Sequence, residues 1–234
     1  MSDNHSQAAG EVDETRARLL EAIMPHVVFD GWTNAALRAA SADAGLTWAE
    51  ACAACPRGAL DLAAEFHLQG DRAMETRLRD ANANGLRQRE RIALALRLRL
   101  EVITDKEAVR RASALFALPQ HAAEGARLMW GTADLIWRSL GDRSDDLNWY
   151  TKRASLAAIL GASVLYWLGD TSENNSDTAG FIDRRIEGMM QIQKTNDALR
   201  RNPATRGLMQ IKDWAASRVR APVRIDDLPG RLQP

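Results

Sequence analysis

Apolar residues recur at helical spacing along most of the chain. Leu19, Leu20, Ile23 and Val27 occupy positions i, i+1, i+4 and i+8, which share one face of a helix. Glycine, proline and N-cap residue types mark the ends of the periodic segments. The pattern predicts an all-α protein of ten helices and no strands, with helices at about 13–26, 33–44, 47–55, 58–82, 86–102, 105–117, 120–140, 147–168, 177–200 and 204–219.

One segment has the spacing of a strand instead. In residues 94–100 every second residue is a leucine. The residues between them are alanine and arginine, which form helices well, and none of the seven is β-branched. We therefore predict a helix here. Its leucines would lie on opposite sides, so this helix should be buried on two faces.

Composition limits the class of protein. The chain has 234 residues, 46% of them hydrophobic, and its 31 basic and 31 acidic side chains give a formal net charge of zero. These values are typical of a soluble globular protein and argue against a surface built as a whole for nucleic acid. Residues 1–14 are polar and acidic, without a targeting pattern, and the longest charge-free apolar stretch, 154–168, has fifteen residues. A membrane span needs about twenty, so we expect a protein that is soluble or lies on a membrane surface.

The first three predicted helices have a recognisable layout. A helix ending near His26 is followed by the turn 29–32, a short helix, Gly45 and a third helix from Thr47. This spacing resembles the N-terminal helix-turn-helix domain of TetR-type regulators, in which the third helix enters the DNA major groove. The resemblance assigns residues 13–56 to such a domain.

This predicted helix-turn-helix lacks the side chains that read DNA. Helix 47–55 contains no Arg, Lys, Asn or Gln, and its only charged residue is Glu50. Over residues 11–66, four arginines stand against nine acidic residues, a net charge of −5. Because DNA binding depends on neutralising phosphates, we expect a degenerate domain that binds no nucleic acid. A ligand-responsive transcriptional regulator of the same fold is the alternative.

Few residues suggest catalysis or metal binding. Cys52 and Cys55 form a CxxC motif, but no second pair accompanies it, and we interpret both as small buried thiols on one helix face. The four histidines show no metal-ligand spacing, and no phosphate loop or nucleophile elbow is present. We therefore expect no metal, no cofactor and no enzymatic activity.

Two segments are more specific. The first is 144–159, which contains the run Asn148-Trp149-Tyr150-Thr151-Lys152-Arg153-Ala154; the second is 169–186. Together with Gly31-Trp32 they resemble the lipid-binding accessory protein family of ubiquinone (coenzyme Q) biosynthesis, the ninth of the yeast Coq series, over about Thr15 to Val219. The resemblance implies a TetR-like homodimer that binds phospholipid and isoprenoid quinone precursors. It also implies a non-enzymatic partner of the di-iron demethoxyubiquinone hydroxylase and of other ubiquinone-biosynthesis proteins.

The start of the 147–168 helix is the predicted partner surface. Trp149 and Arg153 are four residues apart and share a helix face, and aromatic residues with arginine are typical of interface hot spots. The residues alone also allow Trp149 to cap the core while Arg153 pairs with a neighbouring aspartate, Asp145 or Asp146. The resemblance instead implies contacts with the hydroxylase, and with a lipid headgroup at Arg153, for Asp146, Asn148, Trp149, Tyr150 and Arg153.

The predicted lipid-binding and dimerisation domain spans residues 57–200. Its pocket wall would come from apolar residues of the 120–140 and 147–168 helices, although the same residues could form plain core or dimer contacts. These candidates are Leu128, Met129, Leu135, Ile136, Ile159, Leu160, Val164 and Leu165.

The last predicted helix is amphipathic and basic. Residues 200–224 carry seven basic side chains and one acidic one, a net charge of +6, beside an apolar stripe that includes a tryptophan. Packing against the bundle is one interpretation. The resemblance implies a membrane-associating helix at 201–220. The prolines of residues 221–234 predict an irregular tail, and the lack of a targeting pattern leads us to expect a bacterial cytoplasmic protein attached peripherally to the inner membrane. Its membrane contacts would be Arg206, Leu208, Ile211, Lys212 and Trp214.

Overall fold

The computed structural model describes residues 2–81, 83, 85–142, 144 and 147–201, with side chains from 10 to 192 apart from 82, 84, 143 and 145–147. Within these residues all regular secondary structure is helical, which confirms the predicted all-α class. The elements are α1 (Ser2–Asp30), α2 (Asn34–Asp43), α3 (Trp48–Ala54), α4 (Ala59–Asp80), α5 (Gln88–Glu101), α6 (Lys106–Ala117), α7 (Ala122–Ser139), α8 (Leu147–Leu168), a 3-10 turn (Glu173–Asn175) and α9 (Ser176–Arg201).

Helix α1 is longer than the sequence predicted. It begins at Ser2 rather than near 13 and continues to Asp30, so the predicted end near His26 is wrong. Pro25 lies inside it, although proline removes one helical hydrogen bond. Ile23 and Val27 on either side are completely buried and hold this turn against the core. The helix ends where Gly31 adopts a positive φ of 68° and donates its N–H to the Val27 carbonyl.

Helix α5 confirms the interpretation of the alternating leucines. Leu96 and Leu100 are buried, and Leu94 and Leu98 are partly buried against the same hydrophobic cluster. The helix contacts α4, α8 and α9, so neighbours cover more than one of its sides. The alternation therefore reflects a helix enclosed from two directions rather than a strand.

The described helices surround two hydrophobic clusters. The first joins α1, α2, α3, the start of α4, and α6, and the second joins α4, α5, α7, α8 and α9. Phe66 packs against both clusters. Trp32, which follows α1, anchors the first cluster: its indole N–H donates to the Ala108 carbonyl at 3.1 Å, and its ring lies 5.5 Å from that of Phe66.

None of the described helices is both long and apolar enough to span a membrane. The predicted membrane-associating helix and the irregular tail lie outside the described residues, and so does the predicted partner residue Asp146. The predicted membrane contacts that fall there are Arg206, Leu208, Ile211, Lys212 and Trp214.

Candidate functional site

A cavity of about 620 Å³ lies between α4, α5, α6, α7 and α8. This volume is within the range of about 300–1,000 Å³ that is usual for small-molecule sites. Its wall is largely apolar, with a few polar side chains. The residues that line it include Phe66, His67, Gly70, Arg99, Phe116, Leu128, Met129, Leu160, Gly161, Val164 and Leu165.

The cavity includes part of the predicted lipid-binding set. Five of the eight apolar candidates line it, namely Leu128, Met129, Leu160, Val164 and Leu165. Of the other three, Ile136 is completely buried in the second hydrophobic cluster, and Leu135 and Ile159 pack against that cluster. Ile136 is therefore a core residue, and the partly buried Leu135 and Ile159 pack against that core without lining the cavity. Whether the cavity takes a lipid stays a prediction.

A buried ion pair stands at the enclosed end of the cavity. The Nε of Arg99, on α5, donates to Asp71 Oδ1, on α4, at 2.6 Å, and their side chains are 6% and 7% exposed. Gly70 makes room for this arginine: a Cβ added there would lie 2.7 Å from Arg99 Nη1. A buried charge requires such a partner because transfer from water is costly.

His67 and Thr132 complete this polar network. The Thr132 hydroxyl lies 2.9 Å from Asp71 Oδ2 and donates to that carboxylate, and His67 Nε2 lies 2.8 Å from Thr132 Oγ1. On the other side of the ring, Arg99 Nη2 lies 3.3 Å from Nδ1, an arrangement that suits the neutral Nε2–H tautomer. Burial lowers the pKa of His67 to about 4, with the Arg99 charge adding to the effect.

Sequence reasoning did not find this network. Its members are scattered over α4, α5 and α7, and no motif spacing joins them. One signal was present: Arg99 lies between two leucines of a helix predicted to be buried on two faces. A charged residue in such a helix requires a buried partner.

The mouth of the cavity is apolar and leads to a ring stack. Leu165 lines the cavity yet is 67% exposed. The next residue, Tyr166, is 39% exposed, and its ring stacks on that of Phe181 with centroids 4.4 Å apart. We call the stacked rings of Tyr166, next to Leu165 on α8, and Phe181, on α9, the apolar strip.

A second site lies at the start of α8. The rings of Trp149 and Tyr150 are 4.7 Å apart, and Trp130 of α7 lies 5.8 Å from Trp149 and 6.2 Å from Tyr150. We call Trp130, Trp149 and Tyr150 the aromatic cluster. All three are partly exposed, and the predicted partner residue Asn148 is exposed beside them. Sequence reasoning missed Trp130 because only the fold brings α7 to α8 at this point.

Arg153 lies beneath the aromatic cluster rather than on the surface. Its side chain has no exposed area, and it pairs with Asp134 at 2.6 Å and with Asp142 at 3.2 Å. Its guanidinium also covers the Trp149 ring at 4.1 Å. The predicted direct contact with a partner or a lipid headgroup requires exposure that this side chain lacks, and we correct its role to that of a support.

The same support includes Lys152. Its Nζ donates to Asp142 Oδ1 at 2.7 Å, while Trp137 donates its indole N–H to the Lys152 carbonyl. Burial alone would raise the pKa of Asp142, but hydrogen bonds from Lys152, Ser144 and Arg153 hold it below its ordinary value. The ionised carboxylate therefore persists at neutral pH and fixes Arg153.

The arginines of the helix-turn-helix are engaged within the protein. Arg16 donates to the Ala54 carbonyl at 2.8 Å and Arg18 to the Ala44 carbonyl at 2.7 Å. Arg38 covers the Trp48 ring at 4.0 Å, and Arg57 pairs with Asp61 and Glu124, each at 2.6 Å. All four basic residues counted in this region therefore have internal partners.

The two cysteines differ from the predicted pair of buried thiols. Cys55 is buried, and burial raises the pKa of its thiol to about 11, but Cys52 is exposed. Cys52 therefore lies on the solvent side of α3. Within the described part of the chain, no group of three or more His, Cys, Asp or Glu side chains is arranged to hold a metal ion.

The arrangement of helices is that of the TetR class of proteins. A TetR transcriptional regulator from Nitrosomonas europaea superposes with a TM-score of 0.60 and 15% identity, over 74% of this chain and 95% of that one. A likeness at this identity concerns the fold, and it confirms the predicted TetR-like architecture.

The sequence resembles one family in particular. Residues 122–193, which include α7, α8 and the aromatic cluster, match the COQ9 family model. The chain is 32% identical over 196 residues to the mitochondrial ubiquinone biosynthesis protein COQ9 of Drosophila melanogaster, covering 82% of this chain and 59% of that protein. A probable coq9 protein of Dictyostelium discoideum is 30% identical over 190 residues, 77% of this chain and 61% of that one. The predicted resemblance is confirmed, and the chain spans about three fifths of the length of these relatives.

These relatives also correct one expectation. The sequence suggested a bacterial cytoplasmic protein attached to the inner membrane. The COQ9 proteins it matches in Drosophila melanogaster, Rattus norvegicus and Dictyostelium discoideum are named as mitochondrial proteins of eukaryotes, so that expectation is wrong.

Proposed function

We propose that this chain acts in ubiquinone biosynthesis as a lipid-binding accessory protein without catalytic activity of its own. It binds a polyprenylated aromatic precursor of ubiquinone in the cavity and hands it to the demethoxyubiquinone hydroxylase. The observation that carries the proposal is the cavity itself, a largely apolar space of about 620 Å³ inside a bundle that resembles COQ9 proteins. An apolar space of this size is suited to hydrocarbon, because burying apolar surface drives binding.

The exposed face of the aromatic cluster is the proposed docking surface for the hydroxylase. Large aromatic side chains supply most of the binding energy at many interfaces. Arg153, pinned by two carboxylates, holds the Trp149 ring in place from below. Docking then depends on a rigid aromatic surface and not on a charge pair with Arg153.

The alternative function, a ligand-responsive transcriptional regulator, is less well supported. A DNA-binding surface needs free cations for phosphates, and the four arginines of the helix-turn-helix have internal partners. We propose that the domain is retained for its packing against α4 and α6. A sequence-specific gel shift that survives competitor DNA would favour the regulator.

Residues 201–220 are the proposed contact with a membrane surface, and the protein is proposed to act as a homodimer. Changing Leu208, Ile211 and Trp214 to Ser together should abolish co-sedimentation with anionic liposomes while leaving the helical circular dichroism unchanged. Higher salt should also weaken this binding because it screens the arginine charges. Loss of helical signal in the variant would show that this segment packs as core.

The test of the cavity uses two glycines at which an added Cβ has free space around it. A Cβ added at Gly161 or at Gly131 meets no atom within 4 Å, but only Gly161 lines the cavity. Gly161→Leu would therefore fill the cavity, while Gly131→Leu adds the same side chain elsewhere on a helix. Lipids that co-purify with each full-length protein from a ubiquinone-producing host would be extracted and identified by mass spectrometry.

We expect isoprenoid aromatic lipids with the unaltered chain and with Gly131→Leu, and their loss with Gly161→Leu. Equal lipid content in all three proteins would show that lipid binds elsewhere. Absence of isoprenoid aromatic lipids from the unaltered chain would overturn the proposed ligand.

A further inference from the structure

We propose that Arg99, at the enclosed end of the cavity, is a ligand-binding residue that donates hydrogen bonds to a neutral oxygen on the ring of an aromatic lipid, a carbonyl or a phenol. This inference rests on the proposed lipid-binding function and adds to it the chemistry and the direction of binding. The ring enters first, and the hydrocarbon tail leaves past Leu165.

The hydrogen bonds of Arg99 leave one nitrogen for a ligand. A guanidinium has five N–H donors. The Nε donor goes to Asp71, and Nη2 donates to the His67 carbonyl at 3.0 Å with His67 Nδ1 at 3.3 Å. Among the described residues Nη1 has no acceptor, and it is not one of the fully enclosed side-chain nitrogens that lack a partner. Both N–H groups of Nη1 are therefore available on a side chain that is 94% buried.

The position of Nη1 places these donors beside the open space. Gly70 and Arg99 both line the cavity. Since a Cβ at Gly70 would lie 2.7 Å from Nη1, the missing side chain of Gly70 is what lets the guanidinium reach this wall. Nη1 is not fully enclosed, so a ligand oxygen can replace solvent there and give this charged donor an acceptor inside the cavity.

The charges around Arg99 favour a neutral oxygen over an anion. Asp71 already compensates the guanidinium charge at 2.6 Å, and Thr132 donates to that carboxylate rather than to the cavity. His67 is held neutral, so it adds no positive charge. A ligand anion would therefore face a site whose net charge is close to zero. A carbonyl or phenol oxygen needs only donors, and Nη1 has two.

The shape of the cavity sets the direction. The side chain of Arg99 is 6% exposed, and Leu160 and Val109 in the same lining are also buried, whereas Leu165 in that lining is 67% exposed. The apolar strip of Tyr166 and Phe181 lies next to this mouth. A long hydrocarbon tail exceeds the cavity volume, and it would continue along this strip.

The test compares two probes that share a farnesyl tail, one with ring carbonyl oxygens and one without. One is a farnesyl-substituted benzoquinone and the other is farnesylbenzene, and their affinities for the full-length chain are measured by equilibrium dialysis. We expect the quinone to bind roughly tenfold or more tightly, the size of a hydrogen bond from a charged donor. In infrared difference spectra of the unaltered protein, the quinone carbonyl band should shift to lower frequency on binding.

The variant removes the charged donor while keeping the site neutral and polar. In Arg99→Gln with Asp71→Asn, we expect quinone and farnesylbenzene to bind within about threefold of each other, and the carbonyl shift to disappear. Arg97→Gln with Asp183→Asn is the matched control, because it alters an exposed 2.6 Å ion pair on the same helix. The control should keep the preference for quinone.

Two failures would be distinguishable. If both probes bind and Gly161→Leu blocks them, but the quinone shows neither tighter binding nor a shifted carbonyl band, the cavity binds lipid and Arg99 does not read its ring. If neither probe binds the unaltered chain, the proposed lipid-binding function fails as well. If the variant with both Arg99→Gln and Asp71→Asn does not fold, the infrared spectrum of the unaltered protein still tests the inference. Absence of a shift in the quinone carbonyl band would overturn it.

Discussion

The two buried arginines of this bundle are held in different ways. Arg153 is enclosed by Asp134, Asp142 and the face of Trp149. Arg99 has one carboxylate partner, Asp71, and a nitrogen turned toward a cavity. Two carboxylates and a ring fix an arginine as a structural support, whereas one carboxylate and an open side leave it able to bind something else. Each guanidinium leaves one terminal nitrogen without an acceptor among the described residues, and that of Arg153, Nη2, is fully enclosed. Burial of a charge therefore does not by itself distinguish a structural support from a binding group; a cavity beside the side chain does.

The largest effect should come from removing the structural arginine. Arg153→Gln leaves two carboxylates without their shared partner, one of them only 6% exposed, and removes the group that holds Trp149. We expect the free energy of unfolding to fall by about 3–5 kcal/mol, measured by chemical denaturation. Arg97→Gln, in an exposed pair, should cost less than about 1 kcal/mol. Similar small losses for both variants would contradict the role of Arg153 as a structural support.

The next effect concerns how the stability of the chain depends on pH through His67, a member of the Arg99 network. The pKa of His67 falls from 6.5 to about 4 on folding, so the unfolded chain takes up a proton that the folded chain resists. Stability from this group is therefore complete above pH 6.5 and is lost as the pH falls toward 4. Between pH 7 and pH 4.5 the loss should be on the order of 2 kcal/mol.

The control for this pH effect is His67→Gln, which keeps an amide donor near Thr132 but cannot titrate. Its stability should change less over the same pH range than that of the unaltered chain, in urea denaturation at each pH. The pH dependence that remains in the His67→Gln variant comes from carboxylates such as Asp142, because a lowered pKa also makes stability fall in acid. Identical pH profiles for the two proteins would show that folding does not lower the pKa of His67.

The aromatic cluster should show its effect in binding rather than in stability. Trp149→Ala removes a partly exposed ring, and truncating an aromatic anchor at an interface commonly costs about 2 kcal/mol or more, roughly thirtyfold in affinity. Pull-down or titration with purified demethoxyubiquinone hydroxylase would measure it. Trp48→Ala is the matched control, because that ring is also covered by an arginine, at 4.0 Å, but lies on the helix-turn-helix. Equal hydroxylase binding by both variants would remove the docking role.

The smallest effect tests whether the cavity is open at Gly161. Alanine at position 161 meets nothing within 4 Å and replaces a helix-interior glycine, so it should stabilise the chain by about 0.5–1 kcal/mol. Gly125→Ala should do the opposite, because its Cβ would lie 2.8 Å from Phe116 Cβ. Thermal melts of both variants would show the two signs. Destabilisation by Gly161→Ala would mean that the cavity is closed at this point.

Much of the fold could be predicted because helical periodicity and punctuation are local. The alternating leucines of α5 were interpreted correctly from the helix propensity of the residues between them. The end of α1 was not predicted correctly. Pro25 is a local helix-breaking signal, but the packing of Ile23 and Val27 keeps the chain helical beyond it. Local pattern thus predicts that an element exists better than where it ends.

The site was harder to predict because its residues meet only in three dimensions. The tryptophan and tyrosine at the start of α8 were found, since they share one short motif. Trp130 and the Arg99 network were missed, since Arg99 and Asp71 are 28 residues apart. Which lining candidates face space and which face a neighbouring helix, as Ile136 does, depends on helix rotation. A stretch of apolar residues does not encode that rotation.

The absent side chain at position 70 has a consequence for how this protein can diverge. Any larger residue there collides with the guanidinium of Arg99, so positions 70 and 99 are not free to drift separately. Homologues with alanine at position 70 should also lack the arginine at position 99, and homologues that keep the arginine should keep the glycine. Covariation between these two positions would therefore distinguish homologues whose cavity carries a polar group from homologues whose cavity is wholly apolar.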